Sequence, residues 1–292
     1  MGKINSGIVS ALPFPGTKTL VFGHRGAMAY APQNTMTSFS KAWDMGANGI
    51  ELDVQCSKDD VPIVFHDDTL DDLTSGSGAV RDHEILDLLS MDAGSHFSPK
   101  FSDERIPLLE TVLRARPDGT FINIELKTDM LFDPMWRQLA RSVTGYPAFS
   151  VNHEGEREKE AVRVAKLTAD CIRKVAVDIP DLPAYLIASS FDPVALISFA
   201  AELPGIPIAC LYYKAVHFDT KTFVKTLPHQ AWHPYWFEVS KKVVSASHAQ
   251  GRWLNSWTVN KLSVARRLIG MKVDGLITNY PDVMLGLLSP NA

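Results

Sequence analysis

The chain is poor in cysteine: Cys56, Cys171 and Cys210 are the only three in 292 residues, at no metal-like spacing. That excludes a disulfide framework or a cysteine zinc site, and fits buried thiols in a reducing compartment, with the cytoplasm as the expectation. No apolar run reaches the roughly 18 residues of a membrane span. The N-terminal MGKINSGIVSALPFPG has one lysine and too short an apolar stretch for a signal peptide. Positive charge is not in excess either. With 29 Lys and Arg against 33 Asp and Glu, the formal charge of -4 gives no general field for nucleic acid. No G-x-G-x-x-G follows the first predicted strand, which removes the usual dinucleotide cradle. No activated Ser or Cys motif is present. Neither a tandem repeat nor a Pro/Gly linker divides the chain, so one domain over residues 1–292 is expected.

What is present is an alternation of strand and helix patterns. Strands are predicted at Thr19–Gly23, Gly49–Val54, Phe121–Leu126, Tyr185–Ser189, Ile206–Tyr212, Trp232–Phe237, Trp253–Thr258 and Gly275–Thr278, with a shorter extended piece at Pro62–Phe65. Helices are predicted at Thr35–Met45, Asp82–Leu89, Leu108–Arg116, Pro134–Val143, Glu156–Val177, Pro193–Glu202, Phe218–Leu227, Val239–Gln250 and Lys261–Met271. Eight strands, most followed by a helix, predict a closed (β/α)8 barrel of the TIM type; a doubly wound sheet is the alternative architecture.

Two of the strands carry acid on their polar face. In Ile50-Glu51-Leu52-Asp53-Val54, a period of two puts Glu51 and Asp53 on one face and the apolar residues on the other. The pattern recurs in Ile122-Asn123-Ile124-Glu125-Leu126-Lys127. A single acid on a strand is as readily a salt-bridged edge residue. Carboxylates buried together unpaired would repel and take up protons, and a divalent cation is the simplest remedy. An all-oxygen donor set of Glu51, Asp53 and Glu125 suits Mg2+ or Ca2+ over zinc, with Mn2+ also admissible.

Lys127 shares Glu125's face near the strand's C-terminal end, placed either to meet a phosphate or to neutralise the acid. Arg25 could hold two phosphate oxygens. His24 and His66, beside the acids, are candidates for proton transfer. Trp257 and Phe191 are candidates to line the mouth, with plain core packing as the competing reading.

These residues fall in motifs that resemble the glycerophosphodiester phosphodiesterase family: His-Arg-Gly at 24–26, Glu-x-Asp at 51–53, His-Asp at 66–67, then ERIPLLETV, FINIELK, SSF, SWTVN and VDGLITNYPD. The matches run in the family's order over residues 21 to 282. The resemblance implies a TIM-like barrel with a segment inserted after the second strand, here about 56–110. It implies one divalent cation on Glu51, Asp53 and Glu125, catalysis by His24 and His66, and phosphate contacts from Arg25 and Lys127. It places Trp257 in a tryptophan motif near the substrate.

The implied reaction is metal-dependent hydrolysis of a small-molecule glycerophosphodiester to sn-glycerol 3-phosphate and an alcohol. Two alternatives are a related phosphodiesterase of phospholipase D type, acting on lysophospholipids or another phosphodiester and stopping at a cyclic phosphate, and an inactive phosphate-binding protein. Monomer and homodimer are both open. Three departures from the family pattern stand out: Gln33 where Glu is usual, Asp72-Leu73 where Arg-Thr is usual, and a long segment over 129–158 expected to act as a lid.

Overall fold

Alternating side chains along the strands are sorted to the two sides of a closed sheet. The computed structural model describes residues 10–13, 15–128, 154–213 and 230–289. Its strands are β1 (Leu20–His24), β2 (Gly49–Cys56), β3 (Pro62–Val64), β4 (Phe121–Leu126), β5 (Leu186–Ser190), β6 (Ile208–Tyr212), β7 (Ala231–Pro234), β8 (Trp253–Ser256) and β9 (Gly275–Thr278). The sheet order is β1-β9-β8-β7-β6-β5-β4-β2-β3, and β1 also pairs with β2. Eight parallel strands therefore close on themselves, while β3 runs antiparallel on β2. The expected barrel is the observed one.

The helices are α1 (Met36–Asp44), α2 (Ile85–Ser90), α3 (Leu109–Ala115), α4 (Glu154–Ala176), α5 (Pro193–Glu202), α6 (Lys241–His248), α7 (Leu262–Gly270) and α8 (Pro281–Leu288). Caps explain several ends. Thr35 accepts from Ser38 N–H at the start of α1, and Asp192 accepts from Val194 N–H ahead of Pro193 in α5. Outward residues of the strands, such as Ile50, Leu52, Val54, Ile122 and Ile124, form one core with helix residues Phe39, Val112, Ala165 and Phe199. Inside the barrel, Leu20, Phe22, Phe121, Ile187, Ala209, Ala231 and Ile277 make an apolar plug. Residues of β3 and α2 and of the segments that follow them bury a smaller cluster of Ile63, Leu70, Val80, Leu88 and Ile106.

Three expectations need correction. The helix predicted over Asp82–Leu89 is a short 3-10 turn at Val80–Asp82 followed by α2. His83 between them is extended, with its carbonyl taken by the Lys58 N–H. The strand predicted to run to Phe237 ends at Pro234, which has no N–H to extend a ladder, and Trp236–Glu238 turns as 3-10 helix. The long helix predicted over Glu156–Val177 begins two residues earlier, at Glu154, and ends at Ala176. The helices expected at 134–143 and 218–227 lie outside the described residues, as does 129–153 of the segment expected to form a lid. No described helix is long and apolar enough to cross a membrane.

Candidate active site

Strand register assembles the acids. Asp53 on β2 pairs across the sheet with Glu125 on β4, and Glu51 lies one inward position below Asp53. One carboxylate oxygen from each of Glu51, Asp53 and Glu125 lies within 4.8 Å of the others. Asp53 and Glu51 are buried. Burial, with the Asp53 and Glu125 charges added, pushes the Glu51 carboxyl well above its usual range, and burial also raises Glu125. Asp53 Oδ1 has no hydrogen-bond partner among the described residues. Converging, mutually repelling carboxylates with an orphan oxygen fit a hard divalent cation.

Arg25 and Gly26 close the site on one side through backbone shape. Arg25 has φ 51° and Gly26 φ 82°, both left-handed. At Gly26 a Cβ would collide with the Ser38 backbone, so only glycine lets α1 approach so closely. The turn aims the Arg25 N–H at Glu51 Oε2 (3.0 Å) and its Nε toward Asp53 Oδ2 (3.2 Å). Its Nη1 donates to Gln33 Oε1. Asn34, also left-handed at φ 56°, donates its amide to Asp53 Oδ2 at 2.9 Å. One short turn therefore positions two of the three acids.

Lys127 Nζ lies 3.3 Å from Glu125 Oε1 and 3.9 Å from Asp53 Oδ1. Burial opposes its charge, but the Glu125 and Asp53 carboxylates outweigh that and raise its pKa. The ammonium thus leans on the acid cluster, as the neutralising reading expects.

The two histidines differ in their partners. His24 Nδ1 lies 2.8 Å from Asn279 Oδ1, after β9. An amide oxygen there receives Nδ1–H and leaves Nε2 as a lone pair. His66 Nδ1 lies 2.6 Å from the Asp67 carboxylate. Burial, then the Arg25 charge, lowers His24 to about 3 and takes His66 well below its usual value. Burial raises Asp67 to about 6. Both imidazoles are therefore neutral in the absence of bound anion.

Opposite the charged groups stand aromatic rings. Phe191 and Trp257 meet edge to face at 5.5 Å, although their strands β5 and β8 are separated by β6 and β7. Their contact spans the barrel mouth. Trp257 also packs on the apolar plug, as the packing reading expects. Sequence reasoning missed Asn34 and Asn279, which orient Asp53 and His24; the available signal was that Asn279 lies inside VDGLITNYPD and Asn34 within the matched span of 21 to 282. His96, His153, His217, His229, His233 and His248 carried no such signal; among the described ones, His233 is fully buried inside β7 and His248 pairs with Asp274 at 2.8 Å.

The Glycerophosphoryl diester phosphodiesterase family matches residues 24–283. The chain is 32% identical to a glycerophosphodiester phosphodiesterase of Caldanaerobacter subterraneus subsp. tengcongensis, over 93% of this chain and 98% of the relative. It is also 32% identical to one of Bacillus altitudinis, over 90% and 96%. Among solved structures, it resembles an Oleispira antarctica phosphodiesterase in complex with the product sn-glycerol-3-phosphate. The TM-score is 0.75 at 25% identity, covering 92% of this chain and 96% of that one. On this match, and with the acid cluster at the mouth of a closed barrel, the chain belongs to the glycerophosphoryl diester phosphodiesterase family.

Proposed function

We infer that the protein hydrolyses glycerophosphodiesters to sn-glycerol 3-phosphate and a free alcohol. The observation that carries this reading is the convergence of Glu51, Asp53 and Glu125 within 4.8 Å in a chain of this family. The solved relative from Oleispira antarctica holds that same phosphate product. Glu51, Asp53 and Glu125 would hold one cation, Mg2+ or Ca2+ by the oxygen donor set, with Mn2+ admissible. When bound, such an ion supplies Lewis acidity to a phosphoryl oxygen and lowers the pKa of a coordinated hydroxyl.

Each remaining role follows from a contact. Arg25 and Lys127 are the cations beside the cluster, suited to the charge that gathers on equatorial phosphate oxygens. His24, with Nδ1–H committed to Asn279, presents Nε2 to take the nucleophile's proton. His66, backed by the Asp67 carboxylate, is better able to hold a proton once an anionic phosphate enters, and gives it to the leaving alkoxide. Phe191 and Trp257 face the alcohol. The free cysteines support a reducing compartment, the cytoplasm. The segment 56–110 is proposed as an insertion that carries His66 to the barrel.

The test is a matrix of Mg2+, Ca2+ and Mn2+ against glycerophosphocholine, glycerophosphoethanolamine, glycerophosphoglycerol and glycerophosphoinositol, with sn-glycerol 3-phosphate as the readout. No turnover of any of them, despite phosphate binding, would return the chain to a binding protein. Single turnover in oxygen-18 water separates direct attack from a cyclic phosphate: label in the first product requires direct attack.

A further inference from the structure

Four aromatic residues stand at the C-terminal ends of four consecutive barrel strands: Phe191 after β5, Tyr213 after β6, Tyr235 after β7 and Trp257 after β8. They touch in a chain. Tyr213 and Tyr235 have centroids 5.1 Å apart at 64°, Tyr235 and Trp257 5.4 Å at 63°, and Trp257 and Phe191 5.5 Å at 86°. Steeply inclined rings present faces in several directions, the arrangement that surrounds a compact group; parallel rings would make a flat slot. All four are half-exposed.

The Trp257 indole N–H is already spent on the His233 carbonyl at 2.7 Å, so this ring has its π-face and no donor left to offer. The described residues beside them, 191–192, 212–213, 235–238 and 257–260, contain no Lys or Arg, with Lys261 following directly; Glu238 is the partly exposed carboxylate among them, while Asp192 is buried as the cap of α5. The next ring along, Trp236, already receives a cation: the Arg267 guanidinium lies 5.8 Å from its centroid.

The position fits the reaction. Ser189 pairs across the sheet with Glu125, and Phe191 lies two residues further toward the mouth. That puts the start of the arc about 7 Å beyond the acid cluster along the strand. Arg25 and Lys127 stand on the β1 and β4 side and are the groups that draw the phosphate. An alcohol directed away from them meets the rings. A two-carbon spacer ending in a cation reaches this distance.

We propose that Phe191, Tyr213, Tyr235 and Trp257 form an aromatic subsite that selects diesters whose leaving alcohol carries a quaternary ammonium. The attraction is between a cation without N–H donors and the electron-rich ring faces, strongest for Trp and Tyr. This rests on the diesterase reading above and names the alcohol class that reading leaves open.

The decisive comparison uses the metal-loaded protein with glycerophosphocholine and the matching diester of 3,3-dimethylbutanol, which has the same shape and no charge. Expected is a kcat/KM ratio of roughly 5- to 30-fold in favour of the charged ester. Tyr235→Leu brings that ratio close to one, while Tyr235→Phe keeps most of it. A ratio near one in the unaltered protein overturns the proposal, because the wall is then merely apolar. A ratio that survives Tyr235→Leu also overturns it. Calorimetric titration with tetramethylammonium keeps the subsite separable from turnover. Binding by the unaltered protein, lost in Tyr235→Leu, supports the subsite even if no glycerophosphodiester is hydrolysed. Absence of binding together with absence of turnover sinks both readings.

Discussion

The two sides of the barrel mouth are built on opposite principles. The side of β1, β2 and β4 concentrates charge: three carboxylates, Arg25, Lys127 and two imidazoles in mutual contact or close to it. The side of β5 to β8 carries rings and neutral polar groups. Ser189 is buried in the interior with a hydroxyl that finds no partner among the described residues, and His233 holds Asn255 at 2.9 Å. Charges gathered out of water are costly and justify themselves in chemistry; rings placed at the same height cost little and discriminate by shape and polarity. A reaction centre and a recognition surface thus share one rim without sharing residues.

The contrast breaks most decisively if the charged side can be altered without loss of rate. Glu125→Gln is expected to lower metal-dependent kcat/KM by about 1,000-fold or more. The far-UV circular dichroism should stay unchanged, and the melting temperature without metal should be equal or higher because repulsion is relieved. Retained turnover would remove the acid cluster from the mechanism.

Next in size, Asp67→Asn deprives His66 of the carboxylate that favours its protonated form. A loss of about 10- to 100-fold in kcat is expected, with little change in KM. The loss should shrink for substrates with better leaving groups, because these need less protonation. A uniform loss across leaving groups would show that Asp67 only holds the loop.

Gln33→Glu probes how much of the Arg25 charge is kept for phosphate. At present Nη1 meets a neutral amide oxygen, and a carboxylate there would hold the guanidinium more tightly. A half-buried pair of this kind is worth about 1 kcal/mol, so KM should rise about fivefold with a smaller effect on kcat. An unchanged KM would mean that Asp53 alone sets the guanidinium.

On the neutral side the expected effect falls on stability and leaves turnover untouched. Burial holds His233 at about 3, so the folded protein declines a proton that the unfolded chain accepts from about pH 6.5 downward. The unfolded state then binds more protons, and stability is complete above that value and falls as pH drops toward 3. Denaturant titrations at pH 7 and 4.5 should differ by about 2 kcal/mol more in the original chain than in His233→Gln. Identical slopes would mean that the imidazole is hydrated and charged in the fold.

The charged side was legible because its members come in short local motifs. Glu51 and Asp53 are two apart on one strand, Glu125 and Lys127 two apart on another, and strand alternation alone sends each pair inward. Parallel pairing of β2 and β4 then sets Asp53 beside Glu125 without further instruction. Asn34, Asn279, Tyr213 and Tyr235 were not legible as site residues. Their partners lie on other elements, and contact depends on turn shape or on the register of a closed barrel, which periodicity does not encode. Boundaries failed where tertiary bonds overrode local preference, as at His83, whose carbonyl serves Lys58 and so breaks the helix expected there. The glycine at 275 shows the same dependence: a Cβ would collide with the Asn255 amide one strand away, a demand visible only once β8 and β9 are side by side.

The hydrogen bond from His24 to Asn279 joins positions 255 residues apart in the chain. During synthesis all three acids exist long before the residue that fixes this imidazole's tautomer has been made. A growing polypeptide therefore has its acids before it has the partner of this imidazole, and the contact between His24 and Asn279 forms only when the final strand zips beside the first.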